Sequence, residues 1–115
     1  MKKAMLAVTA LSLLLAGSAF TQDKEGKGAP GSATKGKEVF EGNCSVCHNA
    51  DSTETKVGPG LKGLFKRATL ANKKKVSTAT VLEMINMGSE SGMPPYADML
   101  TAAEKADVIA YLKTL

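Results

Sequence analysis

Tryptophan is absent from this 115-residue chain, histidine occurs once, cysteine twice, and only five side chains are aromatic: Phe20, Phe40, Phe65, Tyr96 and Tyr111. So few aromatics are thin material for a hydrophobic core, and at this size a purely apolar interior is marginal. No stretch alternates apolar and polar residues convincingly, which argues against a sheet. Apolar residues make up 43% and charged residues 23%, a balance that fits neither a disordered chain nor a polytopic membrane protein. One small domain is what the length allows.

The N-terminal residues reduce the folding unit further. Met1-Lys2-Lys3 is basic, Ala4 to Ala16 carries no charge, and Gly17-Ser18-Ala19 supplies small residues for cleavage. This is the layout of a signal peptide over residues 1–19. A retained membrane anchor fits less well, because Ala4 to Gln22 contains six polar or glycine residues and its apolar heart falls short of the ~20 residues a bilayer span requires. No cysteine follows the cleavage site to take a lipid. Residues 20–33, rich in Gly, Pro and charge without periodicity, read as a flexible leader. The folded domain is then 34–115, about 80 residues, a size that usually calls for a staple or a bound group.

Within it the pattern is all-α, three to four short helices joined by long loops. Thr34 to Cys47 reads as a helix whose Gly36 and Phe40 share a face; a glycine there costs ~1 kcal/mol against alanine and signals close approach by another element. Thr80-Val-Leu-Glu83 has capping-box spacing and Gly88 supplies a stop, with Val81, Leu82 and Ile85 apolar. Ser89 to Asp98 holds Gly92, Pro94 and Pro95 and reads as loop. Thr101-Ala-Ala-Glu104 opens the clearest helix, with Val108, Tyr111, Leu112 and Leu115 on one stripe.

The chemistry concentrates in Cys44-Ser-Val-Cys47-His48. Two thiols at this spacing can add to the two vinyl groups of one haem, and the adjacent imidazole can reach its iron. A dithiol redox centre usually accompanies a βαβ pattern, which is missing. A structural zinc site takes four ligands, and two Cys and one His are the whole supply unless carboxylates join. A disulfide would close too small a loop to stabilise much. One covalent haem c is the favoured reading.

Because His48 is the only histidine, two histidines cannot ligate one iron within this chain, and the sixth position falls to Met, Lys or an open site. Met84 and Met87 sit at helical positions and read as core filler. Met99, just before the last helix, reads equally as packing. Met93 is favoured: it precedes Pro94, which biases it towards extended geometry, in a loop with little else to bury.

Gly36-Lys-Glu-Val-Phe40, the Cys44–His48 motif, Val57-Gly-Pro-Gly-Leu61 with Gly63-Leu-Phe65, Met93-Pro-Pro-Tyr96 and Ala110-Tyr-Leu-Lys113 together resemble a small class I bacterial cytochrome c over residues 34–115. The resemblance implies the cytochrome c fold around one haem held through Cys44 and Cys47, with His48 and Met93 as axial ligands. It implies that the Pro59 carbonyl accepts from the His48 imidazole, that Leu61 packs on the haem and that Arg67 meets a propionate. It also implies that Gly36 and Phe40 meet Val108 and Tyr111 where the first and last helices cross. The function it implies is one-electron transfer between periplasmic or membrane-bound redox partners, by a monomer that is not an enzyme. The alternatives are a haem enzyme or gas sensor with a labile sixth ligand, or a dedicated subunit of a periplasmic oxidoreductase complex.

Charge distribution bears on those partners. The formal net charge of +4 falls to +2 once Lys2 and Lys3 are removed. Between Glu54 and Glu83 there is no acidic residue, whereas Lys56, Lys62, Lys66, Arg67, Lys73, Lys74 and Lys75 all lie there. Such asymmetry suits an acidic-faced redox donor or acceptor, including transient contact with a membrane complex. Charge runs are more often merely solvated. Nucleic acid is not expected, for want of interleaved aromatics.

Overall fold

Ser32 starts the first helix by accepting, through its side chain, a hydrogen bond from Lys35 N at 3.3 Å. The computed structural model describes residues 30–115. Within them α1 spans Ala33–Asn43, α2 spans Thr78–Met87 and α3 spans Ala102–Leu112, with a 3-10 turn at Leu64–Lys66 between α1 and α2. Thr69 and Lys75 form an isolated antiparallel bridge, and the described residues contain no strand. The expected signal peptide (1–19) and the leader up to residue 29 lie outside the described residues. Ser32 and Ala33, read from composition as the end of that leader, belong to the helix as its cap and first residue.

Two further helix boundaries differ from the sequence reading, each for a local reason. The first helix stops at Asn43 rather than running to Cys47, because Cys47 N and His48 N both turn back to Cys44 O, at 3.1 and 2.9 Å. The second begins at Thr78, not after Thr80. Ser77 is its N-cap: the Ser77 side chain accepts from Thr80 N at 3.1 Å, and Ser77 N donates to Thr80 Oγ1 at 3.0 Å. Thr80 is therefore the third residue of a reciprocal cap rather than the cap itself, and Glu83 is released to pair with Lys74 Nζ at 2.6 Å. The third helix opens as its sequence says, with Glu104 N donating to Thr101 Oγ1 and Thr101 N to Glu104 Oε2.

The core is built where α1 crosses α3. Gly36 and Phe40 are the buried residues of α1, and Val108 of α3 is only 1% exposed. The Phe40 and Tyr111 rings meet edge-on with centroids 5.5 Å apart, a geometry worth ~1 kcal/mol beyond burial. A Cβ on Gly36 would collide with the Asp107 carbonyl and the Tyr111 side chain, so the helix glycine is what lets the two backbones touch. Val81 and Ile85 of α2, with Leu64 and Leu100 from the loops, complete the same cluster. Met87 is not core filler: at the last turn of α2 it is 72% exposed, and Met99 is 64% exposed. None of the described helices is long and apolar enough to cross a membrane.

Candidate functional site

An apolar cleft opens beside this core, with about 400 Å³ of empty space, part of it open to solvent. Its walls come from all three α-helices: Phe40 and Cys44 at the end of α1, Ile85 of α2, and Val108 and Leu112 of α3. Loops add His48 and Leu61 from one stretch of chain, and Met93, Tyr96 and Leu100 from another. Of the residues singled out from sequence, the fold thus brings Cys44, His48, Leu61 and Met93 to one cavity. Cys47 is half-buried one turn along from Cys44 and is not among the lining residues.

His48 is oriented by the loop that follows it. Its Nδ1 lies 2.7 Å from the Pro59 carbonyl. A carbonyl can only accept, so Nδ1 carries the proton, and in the neutral ring the lone pair is then on Nε2. That loop is drawn in by Gly58 N donating to Cys47 O at 2.7 Å and Leu61 N to Asn49 O at 2.8 Å. Gly58 lies against the imidazole so closely that a Cβ there would stand 2.5 Å from His48 Cε1. Arg67 is not among the residues that line the cleft; its Nη2 donates to the Gly60 and Lys62 carbonyls, both at 2.7 Å.

Cys44 and Cys47 are not joined in a disulfide. Burial, with a smaller contribution from Cys47, pushes the Cys44 thiol up to about 11. Cys44 is therefore not an activated thiolate of the kind a redox-active thiol requires. An apolar cleft with a buried thiol, an imidazole presenting a free Nε2 and a thioether on its walls does fit a haem attached through sulfur.

The far wall is carried by the loop between α2 and α3. Ser89 N donates to Met93 O at 3.0 Å, and Gly88 closes α2 with φ 67. Tyr96, three residues past Met93, donates from its hydroxyl to the Asn43 carbonyl at 2.9 Å, across 53 residues of sequence. Sequence reading assigned Tyr96 no role. The one available signal was a bulky aromatic placed directly after two prolines. The contributions of Ile85, Leu100 and Leu112 to the cavity were likewise invisible, since an apolar stripe marks burial without saying what is buried against it.

The sequence model of a family described as "Cytochrome c" matches residues 33–115. A cytochrome c2 of Rhodopila globiformis is 33% identical over 108 residues, covering 78% of this chain and 99% of the relative. A cytochrome c-553-like protein of Synechocystis is 31% identical over 85 residues, covering 74% of this chain and 70% of the relative. The solved cytochrome c6 of the diatom Phaeodactylum tricornutum superposes with a TM-score of 0.59 at 21% identity, covering 73% of this chain and 93% of that one.

Proposed function

Since the chain belongs to the cytochrome c family and is a haem-based electron carrier of the all-α cytochrome c fold with one covalent haem c, we propose how its own residues divide that work. Cys44 and Cys47 form the two thioethers. His48 through Nε2 and Met93 through its sulfur would be the two protein ligands of the haem iron. Haem supplies reversible one-electron chemistry. The protein's part is to hold both axial positions filled, exclude water and set the energy of the two oxidation states.

The observation that carries this reading is that Cys44, His48 and Met93 line the same apolar cleft, whereas Met87 and Met99 point into solvent. The Pro59 carbonyl fixes the imidazole tautomer and makes Nε2 a better donor. Met as the second ligand raises the reduction potential, and apolar walls such as Leu61 and Ile85 act the same way by disfavouring the extra charge of the oxidised state. Arg67 braces the Pro59–Lys62 loop through its Nη2, and its other N–H groups would be the donors for a propionate. With both axial sites filled there is no position for substrate, so the protein is a carrier and not an enzyme.

Partners meet it through a basic face. Lys62, Lys66, Lys73 and Lys75 are exposed. Lys74 is neutralised in part by Glu83 and Lys56 is turned onto the Ser45 carbonyl, so the steering charge is narrower than the sequence count implies. An acidic-faced donor or acceptor fits it. The basic, then apolar, then small-residue start of the chain supports export to the periplasm.

The test is purification of the protein from a host that attaches haem. Haem colour should stay with the polypeptide on a denaturing gel, and the iron should titrate as a reversible one-electron couple without peroxide turnover. Colour that leaves the chain, or rapid turnover, contradicts the reading.

A further inference from the structure

We propose that Tyr96 is a positioning residue for Met93: its hydroxyl straps the ligand loop to the end of α1 and so holds the thioether in the cleft. This rests on the assignment of Met93 as an axial ligand.

A helix ends with carbonyls that have lost their intrahelical donors and need others. At the end of α1, the donor that a continuing helix would bring to Asn43 O is Cys47 N, which goes instead to Cys44 O. Tyr96 OH takes its place at 2.9 Å. The same residue performs the same service for α2, since Tyr96 N donates to Ile85 O at 2.8 Å. Tyr96 therefore joins the C-termini of two helices, one of which runs directly into Cys44.

What hangs from this junction is short and stiff. Pro94 and Pro95 separate Met93 from Tyr96 and have no N–H to bond. On its other side the hydrogen bonds of Met93 among the described residues go to Ser89, by Ser89 N to Met93 O at 3.0 Å and Met93 N to the Ser89 hydroxyl at 3.3 Å. A proline pair transmits the position of its anchor to the residue before it, so fixing Tyr96 fixes Met93. Tyr96 itself lines the same cleft as Cys44 and Met93, so the strap runs from the methionine loop to the helix end that leads into Cys44.

A strap of this kind acts on the equilibrium between bound and displaced methionine, so the readout is how readily an added ligand takes its place. Ferric holoprotein is titrated with imidazole, following loss of the weak far-red sulfur-to-iron absorption. Tyr96→Phe keeps the ring and removes one partly buried hydrogen bond, and should tighten apparent imidazole binding about five- to tenfold. Tyr111→Phe makes the same chemical change in the other core tyrosine, which packs on Phe40 at the α1–α3 crossing, and should stay within about twofold of the parent. Equal effects in the two variants, or none in Tyr96→Phe, overturn the strap while leaving the ligand assignment standing. A parent protein without the far-red absorption overturns the ligand assignment and the strap with it.

Discussion

From Cys44 to Lys62 the chain is fastened to itself by short bonds in both directions, whereas from Ser89 to Tyr96 the chain that carries Met93 hangs between a serine and a tyrosine. On the first side, Cys47 O receives Gly58 N, Asn49 O receives Leu61 N, and Pro59 O takes the imidazole proton, all within 2.8 Å. Arg67 then clamps two more carbonyls of the same loop. On the second side, the backbone and amide ties within the loop are 3.0 to 3.3 Å long, and its far end is anchored through Tyr96 alone, by the amide on Ile85 O at 2.8 Å and the phenol on Asn43 O at 2.9 Å. The difference teaches where an electron carrier of this build can yield. The histidine side keeps its geometry without help, and the methionine side keeps it through few contacts.

The largest effect should come from severing the first side from its prosthetic group. Cys44→Ala or Cys47→Ala should strongly reduce holoprotein and leave a poorly folded chain, because binding energy is folding energy in so small a domain. Helical content measured by circular dichroism checks this, and a cooperatively folding apoprotein of native helicity would break it.

Next comes a change that strains the first side without unlinking it. Gly58→Ala places a Cβ against His48 Cε1 and should cost about 1–3 kcal/mol in denaturant unfolding, the usual penalty for overpacking. An unchanged midpoint would mean that the Gly58 loop is softer than its bonds imply. On the second side, Ser89→Ala removes one side-chain acceptor from Met93 N and should cost only ~0.5–1 kcal/mol. Its effect should appear first as easier loss of the far-red absorption. A larger global loss than Gly58→Ala would reverse the comparison.

The smallest effect on folding belongs to the charges outside both sides. Lys73→Glu/Lys75→Glu should leave unfolding within ~0.5 kcal/mol, yet slow reduction by an acidic redox partner severalfold at low salt and little at high salt. Rates indifferent to both salt and charge reversal would remove the docking face.

How far the sequence discloses this arrangement depends on how local each interaction is. The start of α3 was legible because Thr101 and Glu104 complete their cap within four residues. The start of α2 was displaced because Ser77-Thr-Ala-Thr80 and Thr80-Val-Leu-Glu83 offer competing caps at the same spacing, and Lys74 draws Glu83 away from the second. The end of α1 was overrun because nothing in Asn43-Cys44 is a helix breaker; the stop comes from two amides converging on Cys44 O. The Cys44–His48 motif was legible for the same reason as the cap on α3, its parts being adjacent. The tie from Tyr96 to Asn43 spans 53 residues and goes to a backbone carbonyl, which leaves no trace in residue type at Asn43. The exposure of Met87 was hidden because helical spacing allows two faces at the last turn, and only the packed helix says which one is turned away.

Absorption in the far red by the ferric protein bears most directly on the two-sided site. The protein should show the weak sulfur-to-iron charge-transfer absorption at neutral pH. Met93→Ala should abolish it and lower the reduction potential, while Met87→Ala and Met99→Ala, altering side chains that are 72% and 64% exposed, should leave it unchanged. Absorption that survives Met93→Ala and vanishes in either of the others would contradict the account.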